Sequence, residues 1–463
     1  LPKEIVIIGA GPTGLGAGWR LRELGHDRFH IYERNPYAGG LASSFTDDSG
    51  FTWDIGGHVM FSHYAYYDGV FAELMDHEYQ LNTRESWVRS GQTWVPYPFQ
   101  NNIRYLPADL CLECLLGLIR AQSLPQPRSY ESYLDFMRRV FGDGICRVFM
   151  EPYNFKVWAH APAMLSTGWL GERVAVVDVE RAIRNVVLHK DDFGWGPNSQ
   201  FKFPLYGGTG EFYRRMAESL DEHISLDARV DAIDLAAKRV RLQDGQWRPY
   251  DVLVSTMPLD VLVRLLGEQA PSEIQRASEL LCHSGGHMVG VGIRRKCPST
   301  RSWMYFPDGN CPFYRVTYLS NYSPNMTPDN RAYYSLLCET SYSPYKKVAA
   351  ADIVDRTVDG LVNCGLVQPE EKRDIVSLWH FHADYSYPVP TLHRDEALKT
   401  IIPYLETFDV YSRGRFGIWK YEVSNTDHTL MQGVELVNRL LLGEDETSIR
   451  MQYETEKASR LGG

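Results

Sequence analysis

The stretch IVIIGAGPTGLGAGWRLRELGHDRFHIYE, residues 5–33, decides the fold. Ile5 to Ile8 is a short apolar run that stops at Gly9, the pattern of a strand buried on both faces of a parallel sheet. Thr13 to Leu24 has helical spacing and meets a terminating glycine, Gly25. Phe29 to Tyr32 is a second strand, closing at Glu33. Together they make a βαβ unit. Gly9, Gly11 and Gly14 fall in its first turn as G-x-G-x-x-G, a weak pattern alone but a specific one between a strand and a helix. The first glycine makes the tight turn, the second lets the backbone approach a pyrophosphate, and the third packs helix on strand. The open N–H groups at the helix start favour phosphate. Glu33 stands where a carboxylate accepts from a ribose 2'-hydroxyl, which disfavours a 2'-phosphate there. The expectation is a Rossmann-like α/β domain that binds a dinucleotide.

Outward from this unit the pattern changes. Leu106 to Val187 is mostly helical. Arg239 to Ser255 reads as paired strands: Val240 and Leu242 alternate with polar neighbours, a turn follows at Asp244-Gly245, and a second strand runs from Tyr250 to Ser255. Residues 285 to 390 are rich in Tyr, Phe, Val and Pro and read mainly as strands. Phe416 to Leu442 returns to a glycine-marked turn followed by a helix. The expected organisation is a discontinuous Rossmann-like domain (1–80, 202–260 and 401–463) with an inserted helical domain (101–201) and an inserted antiparallel β-sheet domain (81–100 and 261–400).

Bulk composition narrows the function. At 463 residues the chain exceeds one ordinary core, and 44% hydrophobic with 23% charged residues is a globular composition. A net charge of −10 without basic blocks argues against a nucleic-acid partner. No apolar run approaches the about 20 residues of a membrane span, and the first residues lack a signal-peptide pattern. Eight scattered cysteines do not read as a disulfide framework, which favours a reducing, cytoplasmic compartment. Cys111 and Cys114 form C-x-x-C in a leucine-rich helical run with no second pair or nearby His, so no metal site is expected.

Gly39-Gly40-Leu41, just past the acidic strand end, resembles the second glycine pair of FAD-containing amine-oxidase-like proteins. Asp251 to Pro258 resembles the strand that returns beneath the FAD in that superfamily, and Gly417 to Gly433 the segment that closes its flavin site. The sequence also carries 28 tyrosines and 11 tryptophans, many beside Arg, Asn or Gln in Pro-rich loops. Aromatic rings stack on bases and sugars, phenols donate to phosphates, and guanidinium forks fit phosphate oxygens.

Long blocks carry a closer resemblance: GGHV (56–59), WVPYPFQNN (94–102), PYNFKVWA (152–159), WLGERV (169–174), GWGPN (194–198), YFPDGNCPFYR (305–315), SNYSP (320–324), YPVPTL (387–392) and SRGRFGIWKYEV (412–423). Over nearly its whole length the chain resembles the UDP-galactopyranose mutase family, in its fungal and eukaryotic type. The resemblance implies that Tyr97, Phe99 and Gln100 form a uracil site, with Met150, Asn154 and Trp158 lining it. It implies that Arg173 and Arg315 grip the diphosphate and orient the sugar, that Tyr305, Tyr322, Tyr387 and Tyr421 donate to the phosphates, that Trp303 contacts the substrate, and that Asn198 on a mobile flap contacts the sugar. His58, with Gly57 before it, falls beside the flavin ring. Arg415 and Asn425 fall near the flavin's substrate face, and Arg84 is a further active-site arginine. Val230, Leu41 and Met431 join the glycines and Glu33 in the cofactor set. Segments 168–175 and 194–200 have the glycine and tryptophan content of lids.

The implied chemistry interconverts UDP-galactopyranose and UDP-galactofuranose without net redox change. FAD, reduced by NADPH or NADH, attacks the anomeric carbon through N5 and displaces UDP. A homo-oligomer is compatible with the family. The rival expectations are a mutase for another UDP-sugar, an amine-oxidase-like FAD oxidoreductase, and a non-catalytic flavin-binding protein.

Overall fold

The computed structural model describes residues 3–193, 196 and 199–450. The quoted stretch folds as expected: strands Ile5–Ile8 and Phe29–Tyr32 pair in parallel, joined by the helix Pro12–Glu23. They sit inside a five-stranded parallel sheet whose order is Val410–Ser412, Val252–Ser255, Ile5–Ile8, Phe29–Tyr32, Ile224–Ser225. Both faces of the first strand are buried, which is why its run is continuously apolar. Ile5 and Ile7 pack into one core with the helices Pro12–Glu23 and Thr426–Leu442. Val6 and Ile8 pack into the opposite core with Leu259–Leu266 and Arg394–Glu406.

Two glycines let the layers close. A Cβ at Gly14 would lie 1.9 Å from the Gly9 carbonyl oxygen, so the helix could not start so near the strand. A Cβ at Gly433 would lie 2.0 Å from the Thr13 carbonyl oxygen, so the last helix could not seat against the first.

The reading of residues 239–255 needs correction. Arg239–Leu242 does form a hairpin, but its partner is Trp247–Pro249, and Val230–Asp234 pairs on its other side. Val252–Ser255 instead enters the parallel sheet beside Ile5–Ile8. Burial explains the split: all four residues of Val252–Ser255 are inside, whereas Trp247–Pro249 is an exposed edge. Alternation alone cannot say which sheet a strand joins.

A second, seven-stranded sheet has the order Ile375–Pro388, His283–Ile293, Tyr334–Tyr342, Arg315–Tyr318, Trp303–Tyr305, Ser86–Ser90, Thr93–Pro96. It is antiparallel as expected except for one pair, Trp303–Tyr305 with Ser86–Ser90, which runs parallel. The helices Ala108–Gln122, Tyr133–Ile145, Glu151–Trp158 and Val179–Val187 form a third layer, with a π-helical turn at Cys146–Met150. Cys111 and Cys114 are buried free thiols there. Among the described residues no helix is long and apolar enough to cross a membrane.

Candidate active site

The glycine turn and the second glycine pair face each other. Gly9 has φ +100°, a conformation a side chain would strain. The Gly39 N–H donates to the Ala10 carbonyl at 2.8 Å, and a Cβ at Gly40 would stand 3.3 Å from the Gly11 Cα. Two bare backbones thus oppose each other at the helix start, where no side chain caps the N-terminus. This cradle fits a pyrophosphate, and Leu41 flanks it on the second loop. Glu33 is buried, and its two oxygens accept from the Ala10 and Asn35 N–H groups, each at 2.8 Å. The carboxylate is therefore held at the turn by the main chain, with lone pairs left for a ribose hydroxyl. Val230 begins a strand against the far core, and Met431 lies on the last helix, packed with the first.

The residues expected to bind uracil gather where the helical layer meets the seven-stranded sheet. Phe99 is fully buried and stacks on Phe149, with centroids 4.6 Å apart. Gln100 is buried, donates to the Ala175 carbonyl, and leaves its own carbonyl oxygen without a hydrogen-bond partner among the described residues. Asn154 donates to the Met150 carbonyl at 2.7 Å, so the π turn and the helix after it are tied together. Trp158 ends that helix and packs edge-on against Tyr421 at 4.7 Å.

Tyrosines continue the wall. Tyr97 and Tyr305 have centroids 5.3 Å apart, as do Tyr305 and Tyr153, and Tyr387 lies 6.0 Å from Tyr421. The Trp303 indole donates to the Tyr305 hydroxyl at 2.7 Å. Burial pushes the Tyr97 and Tyr387 phenols above their ordinary range, so both act as neutral donors. Tyr322 is buried against Phe201 and Phe203. Arg84 lies over the Tyr97 ring at 5.5 Å.

Two arginines are set differently. Arg173 donates to the Asn425 side-chain oxygen and the Glu422 carbonyl, each at 2.8 Å, and lies 5.3 Å over Tyr421. Its Nε is buried without a hydrogen-bond partner among the described residues. Arg315 is paired: Nε and Nη2 each reach Glu339 at 2.8 Å. Burial opposes the Arg315 charge, but the carboxylate overrides it and holds its pKa above the ordinary guanidinium value.

Glu339 was not legible as a site residue. It is buried, and it also accepts from the Gly57 N–H at 2.9 Å and the Tyr314 hydroxyl at 2.8 Å. One carboxylate thus joins Arg315 to the His58 loop. The available signal was a lone Glu within the apolar strand YSLLCETSY, since a buried carboxylate demands donors. His58 itself is held down at about 4, by burial first and then by the charge of Arg415, and so stays neutral. Arg415 is partly buried beside it, giving Nε and Nη2 to the Ser386 carbonyl and Nη1 to that of Ser424. Asn198 lies outside the described residues, as do Gly194, Trp195 and Pro197 of the same stretch.

Comparison with known proteins adds the following. A family model for flavin containing amine oxidoreductase matches residues 12–403. A 15-cis-phytoene desaturase, chloroplastic/chromoplastic, from an Oncidium hybrid cultivar is 24% identical over 402 residues, which is 78% of this chain and 64% of that protein. The chain thus spans less than two thirds of that curated relative. A crystal structure of reduced UDP-galactopyranose mutase superposes with a TM-score of 0.94 at 42% identity, covering 97% of this chain and 96% of that one. A CLA-producing fatty acid isomerase from P. acnes, at TM-score 0.63 and 15% identity over 95% of this chain and 99% of that one, shares the fold.

Proposed function

Since the chain belongs to the flavin-containing amine oxidoreductases, and within them to the UDP-galactopyranose mutases, we propose that it interconverts UDP-galactopyranose and UDP-galactofuranose on reduced FAD. The 42% identity held over nearly the full length of both chains carries this reading. NADPH or NADH is the proposed reductant. The free cysteines support a reducing, cytoplasmic compartment.

When bound, reduced FAD supplies the nucleophile, N5, for the anomeric carbon of the sugar. The protein's own residues bind, orient and exclude water. Gly9, Gly11, Gly39 and Gly40 would hold the cofactor's pyrophosphate, and Glu33 its ribose. Gln100 offers the uracil edge an unsatisfied carbonyl oxygen, and Phe99, with Asn154 and Trp158, bounds that end. Arg173 is the best-supported diphosphate ligand, because its fork is already aimed by Asn425 and the Glu422 carbonyl and one donor is unused. A guanidinium so oriented stabilises a departing diphosphate without reorganising. Arg315 assists from its pair with Glu339, which fixes the plane of the guanidinium. Tyr305 and Tyr387 contribute neutral hydroxyls, and Tyr421 stands beside them. His58, neutral at working pH, offers a lone pair or a single N–H beside the flavin rather than a charge. The flap asparagine, Asn198, would close on the sugar.

The test is to incubate the purified yellow protein with UDP-galactofuranose, with and without dithionite, and to follow UDP-galactopyranose by chromatography. Conversion only with reduced flavin is expected. No conversion despite bound, reducible FAD would remove the assignment.

A further inference from the structure

Arg173 is aimed by two neutral acceptors, the Glu422 carbonyl and the Asn425 side chain, and both belong to one short stretch. That stretch is the turn Tyr421–Val423 and the residues leading into the last helix. Among the described residues no strand pairs with it, so something else must fix it. Glu422 is held at both ends. Its carbonyl accepts from Arg173 at 2.8 Å, and its carboxylate is gripped by both prongs of Arg394, Nη1 at 2.8 Å and Nη2 at 3.0 Å. Arg394 Nε donates to Asp395 at 2.8 Å, which sets the plane of the guanidinium. The Arg394 and Glu422 side chains are each only 2% exposed. Arg394 also has a rigid base. It opens the helix Arg394–Glu406, whose Ala397, Leu398, Ile401 and Leu405 are packed in the core under the parallel sheet.

A buried ion pair of this kind returns little net stability, because desolvation of two charges offsets their attraction. What it does provide is a fixed distance and plane between the helix and the turn. Moving the turn would move every support of Arg173 together: the Glu422 carbonyl, the Asn425 oxygen, and the Tyr421 ring that lies 5.3 Å from the guanidinium. We propose that Arg394 and Glu422 are positioning residues for the substrate diphosphate, holding Arg173 in the orientation that binds it. Both are closed off from solvent, so they act through Arg173 rather than on the substrate. This rests on the reading of Arg173 as a diphosphate ligand.

The test measures UDP affinity of the FAD-loaded protein by calorimetric titration, with flavin content and thermal midpoint followed in parallel. Four proteins are compared: wild type, the double variant Arg394→Met/Glu422→Leu, Arg173→Ala, and the triple variant. The apolar pair removes the grip without leaving a buried charge, so the double variant should keep its flavin and its thermal midpoint. Its UDP dissociation constant should nevertheless rise by about tenfold, the cost of a misaimed ligand group. In the Arg173→Ala background the same two substitutions should change UDP affinity by no more than about twofold, because the group they position is gone. Glu422→Asp gives the same answer without removing the charge. A carboxylate one methylene shorter reaches Arg394 only by drawing the turn with it, so UDP affinity should fall there too, and only while Arg173 is present. Wild type that binds no UDP would remove the functional reading and this inference with it. Wild type that binds UDP, with equal losses in the two backgrounds or no loss in either, would overturn the positioning role alone. So would a loss of affinity that merely tracks lost flavin or a lowered thermal midpoint.

Discussion

At the scale of single residues, the site is organised by what each charged group is already bonded to. Arg173 is held by an asparagine and a carbonyl, both neutral, so its positive charge is available to an anion. Replacing it with alanine should cost about 3 kcal/mol of transition-state binding, on the order of a hundredfold in kcat/KM, with UDP affinity falling in parallel. An unchanged kcat/KM would remove Arg173 from the site. Glu339 is the opposite case, a carboxylate wholly used by protein donors. Glu339→Ala leaves the partly buried Arg315 without its anion and should destabilise the fold by about 2–3 kcal/mol in urea unfolding. Activity should fall even in the molecules that remain folded. His58 gives a pH prediction. Its folded pKa, about 4, lies below the unfolded value of about 6.5. The neutral form is therefore favoured by folding, and that stability is complete above the unfolded value and lost as pH falls towards 4. Against His58→Asn as reference, wild type should lose at most about 3 kcal/mol between pH 7 and pH 4. A flat difference would mean that the imidazole is freely hydrated.

Among elements, the two packed helices Pro12–Glu23 and Thr426–Leu442 decide whether the cofactor cradle exists. Gly433→Ala would force a Cβ against backbone that cannot yield. It should cost about 3 kcal/mol and release flavin, read as lower thermal stability and lost visible absorbance. Retained flavin at wild-type stability would show that the helices can part harmlessly. These elements also mark what was readable in the sequence. The βαβ unit was legible because burial on both faces, a turn that excludes side chains and a helix stop all write on adjacent residues. From its own residues Val252–Ser255 was legible only as a strand, because its partners lie far away in sequence; its place in the parallel sheet came from the resemblance of Asp251 to Pro258 to the strand that returns beneath the FAD. Glu339 was missed for the same reason. Its role comes from Gly57, Tyr314 and Arg315 meeting it in space, and no local pattern announces that. The aromatic blocks were recognisable as motifs, yet composition alone could not separate the rings that wall the site from the packing of Phe99 on Phe149.

Over the whole molecule, the parallel sheet is built from segments that span almost the full chain: Ile5–Ile8 and Phe29–Tyr32, then Ile224–Ser225 and Val252–Ser255, then Val410–Ser412. A chain cut before residue 410 loses both an edge strand and the helix that packs on the glycine turn. It should neither bind FAD nor unfold cooperatively, and a truncated protein that stays yellow would contradict this. The same assembly brings the arginines, the tyrosine wall and the His58 loop to one place. The central claim is that the flavin acts without being consumed. The most direct measurement is the number of UDP-galactopyranose molecules formed from UDP-galactofuranose per reducing equivalent supplied anaerobically. The account predicts many turnovers for each equivalent, with the flavin still reduced at the end. Product that stops when the reducing equivalents are spent would contradict it and return the protein to the oxidoreductases.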